Sequence, residues 1–134
     1  MSVDGLTTIL SAFGPKETMD RLEREVKAKG LTVFARVDHA AGAQAVGLKL
    51  RPTELLIFGN AKGGTPLMEA DQRIGIDLPL KALVYQDEAG KVWLAYTDPT
   101  WLARRYGLGA GVTANVEMLS KALGNLAAGT AKSP

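Results

Sequence analysis

The chain has 134 residues, 46% of them hydrophobic, which suits one domain with one core and leaves too little for two well-packed ones. Its 16 Lys and Arg stand against 14 Asp and Glu, and most cations alternate with acids, which argues against the basic patch or arm of a nucleic-acid binder. The absence of Cys excludes disulfides, thiolate catalysis and Cys-based metal sites. No secretory signal is recognisable at the start, and no run approaches the roughly 18 apolar residues of a spanning helix, so a cytoplasmic protein without a membrane partner is expected.

Gly5 to Ala12 reads as a short strand. Pro15 to Lys29 is the clearest helix: Pro15 suits the first helical position, Glu17 the positive end, and Gly30 a left-handed stop. Met19, Leu22 and Val26 share one face. Glu17 with Arg21, Asp20 with Arg24, Glu23 with Lys27, and Glu25 with Lys29 are acid-to-base pairs at i,i+4, so this charge run reads as a solvated face. Leu31 to Asp38 alternates as a strand, with Leu31, Val33, Ala35 and Val37 on one side and Thr32, Phe34, Arg36 and Asp38 on the other.

A small-residue loop is expected from His39 to Ala45, then an extended stretch from Val46 to Leu50. Leu55-Leu56-Ile57-Phe58 is apolar on both faces, the mark of an interior strand. Gly59 to Thr65 reads as a glycine-rich loop and Pro66 to Gln72 as a short helix. Leu80 to Gln86 and Lys91 to Thr97 form a hairpin across Asp87-Glu88-Ala89-Gly90. Asp98 caps a helix that begins at Pro99, and a last amphipathic helix covers about Thr113 to Leu126. The domain is expected to span 1–126, with a disordered tail over 127–134. The order predicts an α+β fold, one antiparallel sheet of about five strands with helices packed mainly on one face.

Mid-chain, Phe58-Gly59-Asn60-Ala61-Lys62-Gly63-Gly64-Thr65-Pro66-Leu67-Met68, then Gly75-Ile76-Asp77-Leu78-Pro79-Leu80-Lys81, and finally Tyr96-Thr97-Asp98-Pro99 follow one another as spaced motifs. Together with Asp38-His39 they resemble the domain-of-unknown-function family 302 of bacteria and archaea, over about Asp4 to Leu126. Ala61 departs from the proline common in that family after Gly-Asn. The resemblance implies a β-α-β(4)-α fold of TATA-binding-protein-like architecture, here with an extra C-terminal helix, and often a homodimer; it implies no activity.

The glycine-rich segment leaves a strand for a helix, a layout whose free N–H groups can bind an anion, with Lys62 and Thr65 adding a charge and a hydroxyl. Gly64 stands where a P-loop needs Lys, which argues against a nucleoside triphosphate. The same glycines equally serve a tight turn. His39 is the only histidine, so any imidazole chemistry falls to it, and a capping role in its loop is the plainer reading. No metal site and no cofactor are expected, and the serines lack a nucleophile-elbow pattern.

Phe34, Tyr85 and Trp93 fall on alternating strand positions and can share a sheet face that a second subunit would cover. The reading is thus a homodimeric binding or regulatory module, more readily than an enzyme. Its candidate site for a small anionic or carbonyl-bearing ligand comprises His39, Asn60, Lys62, Gly63, Gly64, Thr65 and Tyr96. The alternatives are an enzyme with His39 as general acid or base, and a purely structural assembly protein.

Overall fold

The computed structural model describes residues 2–132. Strands β1 (Leu6–Leu10), β2 (Thr32–Asp38), β3 (Thr53–Gly59), β4 (Leu80–Gln86) and β5 (Val92–Thr97) form one sheet in the order β1-β5-β4-β3-β2, antiparallel throughout. Helices α1 (Pro15–Ala28), α2 (His39–Ala45), α3 (Ala61–Ala70), α4 (Pro99–Arg105) and α5 (Thr113–Ala131) complete the expected α+β fold.

The apolar stripe of α1 sets the main core. Met19, Leu22 and Val26 pack on Leu56 and Phe58 of β3, Ala82 and Val84 of β4, and Leu94 of β5, joined by Leu123 and Leu126 of α5. Each large side chain buried here contributes about 1.5–3 kcal/mol. A second, smaller core gathers Leu67 of α3, Leu102 of α4 and Val116 of α5 around Ile74. Of the four expected pairs on α1, Glu23–Lys27 forms at 2.9 Å. Arg21 instead donates Nε–H to the Thr130 carbonyl at 2.9 Å, and Asp20 pairs with Arg36 at 2.9 Å, so the charged face of α1 partly serves to hold α5 and β2.

Several expectations are corrected. The alternation of β2 breaks at a bulge: Val33 pairs with Phe58 on the helix side, but after a register shift Ala35 and Val37 face the other way and Arg36 lies on the helix side. The bulge sets Phe34 apart from Tyr85 and Trp93, which are direct partners on the opposite face. His39 to Ala45 is helical because the Asp38 carboxylate accepts the Ala41 N–H at 2.8 Å and caps it, while Val46 to Leu50 forms no strand. The glycine-rich segment is also helical from Ala61, with Pro66 inside α3. Lastly, α5 continues to Ala131, well into the stretch expected to be a disordered tail, because Ala127, Thr130 and Ala131 are buried and the Ala131 carbonyl accepts the Ala12 N–H at 2.8 Å. Residues 133 and 134 of that stretch lie outside the described residues.

The sheet face away from the main core is mostly apolar. One row across it reads Leu10, Trp93, Tyr85 and Thr53, and the next Thr8, Ala95, Leu83, Leu55 and Val37. None of these side chains belongs to either core cluster. Leu6, Leu10 and Val37 are 40%, 50% and 38% exposed, as expected of a face that no helix covers.

Candidate ligand-binding cleft

The cleft forms where β3 passes into α3. Gly59, at φ 152°, turns the chain out of the strand in a conformation that a side chain would strain. Asn60 then caps α3, its Oδ1 accepting the Gly63 N–H at 2.7 Å. The first turns of α3 supply one wall, Leu78, Pro79 and Leu80 a second, and Asn115, Met118, Leu119 and Ala122 of α5 a third. Leu31 and Phe34 close the end nearest β2. The open cleft has a volume of about 730 Å³, within the usual range for small-molecule sites.

Its lining is largely apolar. Phe34 and Met118 are 55% and 65% exposed although both line the cleft, which places them at its rim. Among the described residues, Lys62 is the only one lining the cleft with an ionisable side chain. Among the described residues it has no ion-pair partner, and it stands in the first turn of α3, where the helix end is positive.

Of the seven candidate residues, Asn60, Lys62, Gly63, Gly64 and Thr65 line this cleft. His39 and Tyr96 do not line the cleft. Asp38 is opposite Glu54, whereas Thr32 is opposite Gly59, so His39 and Asn60 flank opposite ends of the β2–β3 ladder, roughly 20 Å apart. Tyr96 packs against the main core, where burial first, and then the Asp98 charge, raise its phenol above the ordinary value. The apolar walls were missed because they come from separate segments. The one available signal was Asn115, Met118, Leu119 and Ala122 at i, i+3, i+4 and i+7 on the last helix.

A second hollow, of about 810 Å³, lies at the other end of the sheet beside Arg36, Asp38 and Glu54. Its Arg36 and Glu54 are already paired with each other. Arg36 binds both Glu54 oxygens and also contacts Asp20 and Glu23 at 2.9 and 3.3 Å. Glu54 foremost raises the Arg36 pKa; Lys16 and then Arg36 lower that of Asp20. Among the described residues no group of three or more His, Asp or Glu is placed to hold a metal ion.

An antiparallel sheet backed by helices on one face, with an apolar cleft at the end of its third strand, defines a small α+β domain of the sheet-and-helix class. The chain belongs to the family described as Domain of unknown function DUF302, whose model matches residues 7–126. The crystal structure of an uncharacterised conserved DUF302 protein from Bacillus stearothermophilus has the same fold, with a TM-score of 0.84 at 22% identity, covering 97% of this chain and 100% of that one.

Among curated proteins, the fluoride-specific ion channel FluC 1 of Brucella suis is 51% identical over 105 residues, 78% of this chain and 41% of that protein. Proteins of Brucella abortus and Brucella melitensis named fluoride-specific ion channel FluC 1 and FluC 2 match equally, over 39% of their length. The chain thus spans about two fifths of the curated relatives it matches. Among the described residues, no helix is long and apolar enough to cross a membrane.

Proposed function

We propose that this chain is a non-catalytic, ligand-binding regulatory module that pairs with a second copy and acts beside a membrane channel for anions. The observation that carries the binding half is the cleft, an apolar space in which, among the described residues, Lys62 is the only ionisable lining side chain. Such a lining can hold and orient a small molecule, but it lacks the paired acid and base that proton-transfer chemistry requires. His39, the general acid or base of the enzymatic alternative, stands at the far end of the sheet.

The second copy is supported by the uncovered sheet face, since an apolar surface of this extent is a recurrent mark of an interface. The channel is supported by the Brucella relatives, which carry that name and in which well over half the length lies outside the matched region. In such proteins the region resembling this chain would form a domain attached to the channel. The apolar cleft is unsuited to fluoride, so we assign this domain to regulation of the anion flux.

Native mass spectrometry of gently purified protein tests the binding. An added mass per chain that denaturation removes, and that a Met118→Glu variant no longer carries, is the expected result. A bare chain that also fails to bind a naphthalene-sulfonate dye would overturn the reading. For the channel, fluoride efflux from vesicles holding a fluoride-specific channel should change at least twofold when the chain is added; an unchanged rate would remove that half.

A further inference from the structure

We propose that the ligand of the cleft is an amphiphile with one anionic head and an alkyl tail, a medium- or long-chain monocarboxylate, held with its head at Lys62 and its tail between α3 and α5. The inference rests on the binding reading above and specifies the ligand class. Phe34, Met68, Leu78, Met118 and Leu119 supply the walls, and a wholly polar ligand would lose its hydration there without recovering hydrogen bonds. An alkyl chain gains from the same burial against these walls.

Charge selects the head. Among the described residues Lys62, at the positive end of α3, has no ion-pair partner, and no carboxylate lines the cleft to receive a cationic head. Among the described residues no second cation lines it either, which favours a single negative charge over a phosphate dianion. The remaining polar side chains, Asn60, Thr65 and Asn115, are neutral. A carboxylate head at the exposed Lys62 and a tail along the apolar walls would match both ends of one molecule.

Calorimetric titration with octanoate, decanoate and dodecanoate below their micelle concentrations, set beside decanol and decyltrimethylammonium, tests this. Affinity should rise about fourfold per added methylene, the equivalent of about 0.8 kcal/mol each. Decanoate should bind about tenfold more tightly than decanol, and Lys62→Ala should erase that difference while leaving decanol binding as it was. Met118→Glu, at an exposed position, should weaken every alkyl probe. Equal binding of decanol and decanoate would overturn the anionic class while leaving a binding cleft in place. Decanoate binding indifferent to both variants would place the alkyl chain on the sheet face and overturn the site. Failure of every alkyl probe would remove the ligand class, and with it the binding reading if native protein also carries no mass.

Discussion

Gly63 on α3 comes so close to α5 that a Cβ there would stand 3.2 Å from Leu119 Cδ2 and equally near the Asn60 Oδ1 that caps the helix. One residue on, a Cβ at Gly64 would meet only ordinary contacts, 3.6 Å from Met68 and 3.7 Å from Leu78. Both glycines lie within a helix, where Ala is favoured by about 1 kcal/mol. Gly64→Ala should therefore stabilise the protein by up to about 1 kcal/mol. Gly63→Ala should gain less or lose, because the added methyl presses on the cap. Urea melts of the two variants would decide it; an equal gain in both would show that α3 and α5 are not held this closely.

Asp98 ties two helices together. Its Oδ1 accepts the Thr100 N–H at 2.9 Å, the Thr100 hydroxyl at 2.8 Å and the Ser120 hydroxyl of α5 at 3.1 Å. Burial alone would raise its pKa, but these hydrogen bonds prevail and hold it below the ordinary 3.8. Asp71, beside Arg73, is lowered to about 2, and Asp87 is lowered first by the Trp93 indole N–H. A depressed folded-state pKa contributes stability that is present above the unfolded value and lost as pH falls through the folded one. Stability should therefore begin to fall below about pH 5 and go on falling towards pH 2, with a shallower fall in Asp98→Asn. A stability that rises between pH 4 and pH 2 would contradict this account.

Arg36 faces three carboxylates, Asp20, Glu23 and Glu54, with its side chain 27% exposed. Removing it leaves like charges beside one another at the edge of the main core. Arg36→Met should cost about 1–3 kcal/mol at pH 7, less than a fully buried pair because water reaches the site. Acidification should return part of that loss, since protonated carboxylates no longer repel. Melts of the variant at pH 7 and pH 4.5 would show the two stabilities converge; a constant gap would mean that packing, and not charge, sets the cost.

Trp93 lies opposite Tyr85 on the uncovered face, and its indole N–H is fixed by the Asp87 carboxylate at 2.8 Å. That bond orients a broad apolar ring on the face proposed to meet a second copy. Trp93→Glu should shift the protein from dimer to monomer in light scattering while the far-ultraviolet spectrum is preserved. A dimer that persists would move the interface to another surface.

The main elements were legible because each rests on local chemistry: the i,i+4 spacing of α1, the Asp98-Pro99 start of α4, and the hairpin across Asp87 to Gly90. The Gly59 to Thr65 segment misled because its glycines lower helix propensity, whereas the Asn60 cap and the contact with Leu119 decide the outcome. The Phe34 bulge leaves no local trace, since it arises from pairing with β3. Five of the seven candidate site residues lie in the one segment from Asn60 to Thr65 and line the cleft together. The apolar walls on α5 and the separation of His39 follow from topology, which no short stretch of sequence encodes.

Thr130, near the end of α5, is fully buried, and its hydroxyl oxygen has no hydrogen-bond partner among the described residues. The segment around it is needed, because its backbone carbonyl receives Arg21 and the neighbouring Ala131 carbonyl receives Ala12. The hydroxyl itself contributes only the cost of leaving water. Val has nearly the same shape and removes that polar atom, so Thr130→Val should stabilise the fold by about 1 kcal/mol. Thr130→Ser keeps the hydroxyl but loses the methyl and should destabilise by a similar amount. Denaturant midpoints of the two variants should therefore move in opposite directions. A loss of stability in Thr130→Val would show that the hydroxyl does find a partner in solution, and would remove the argument that the end of α5 is held by its backbone and methyl contacts alone.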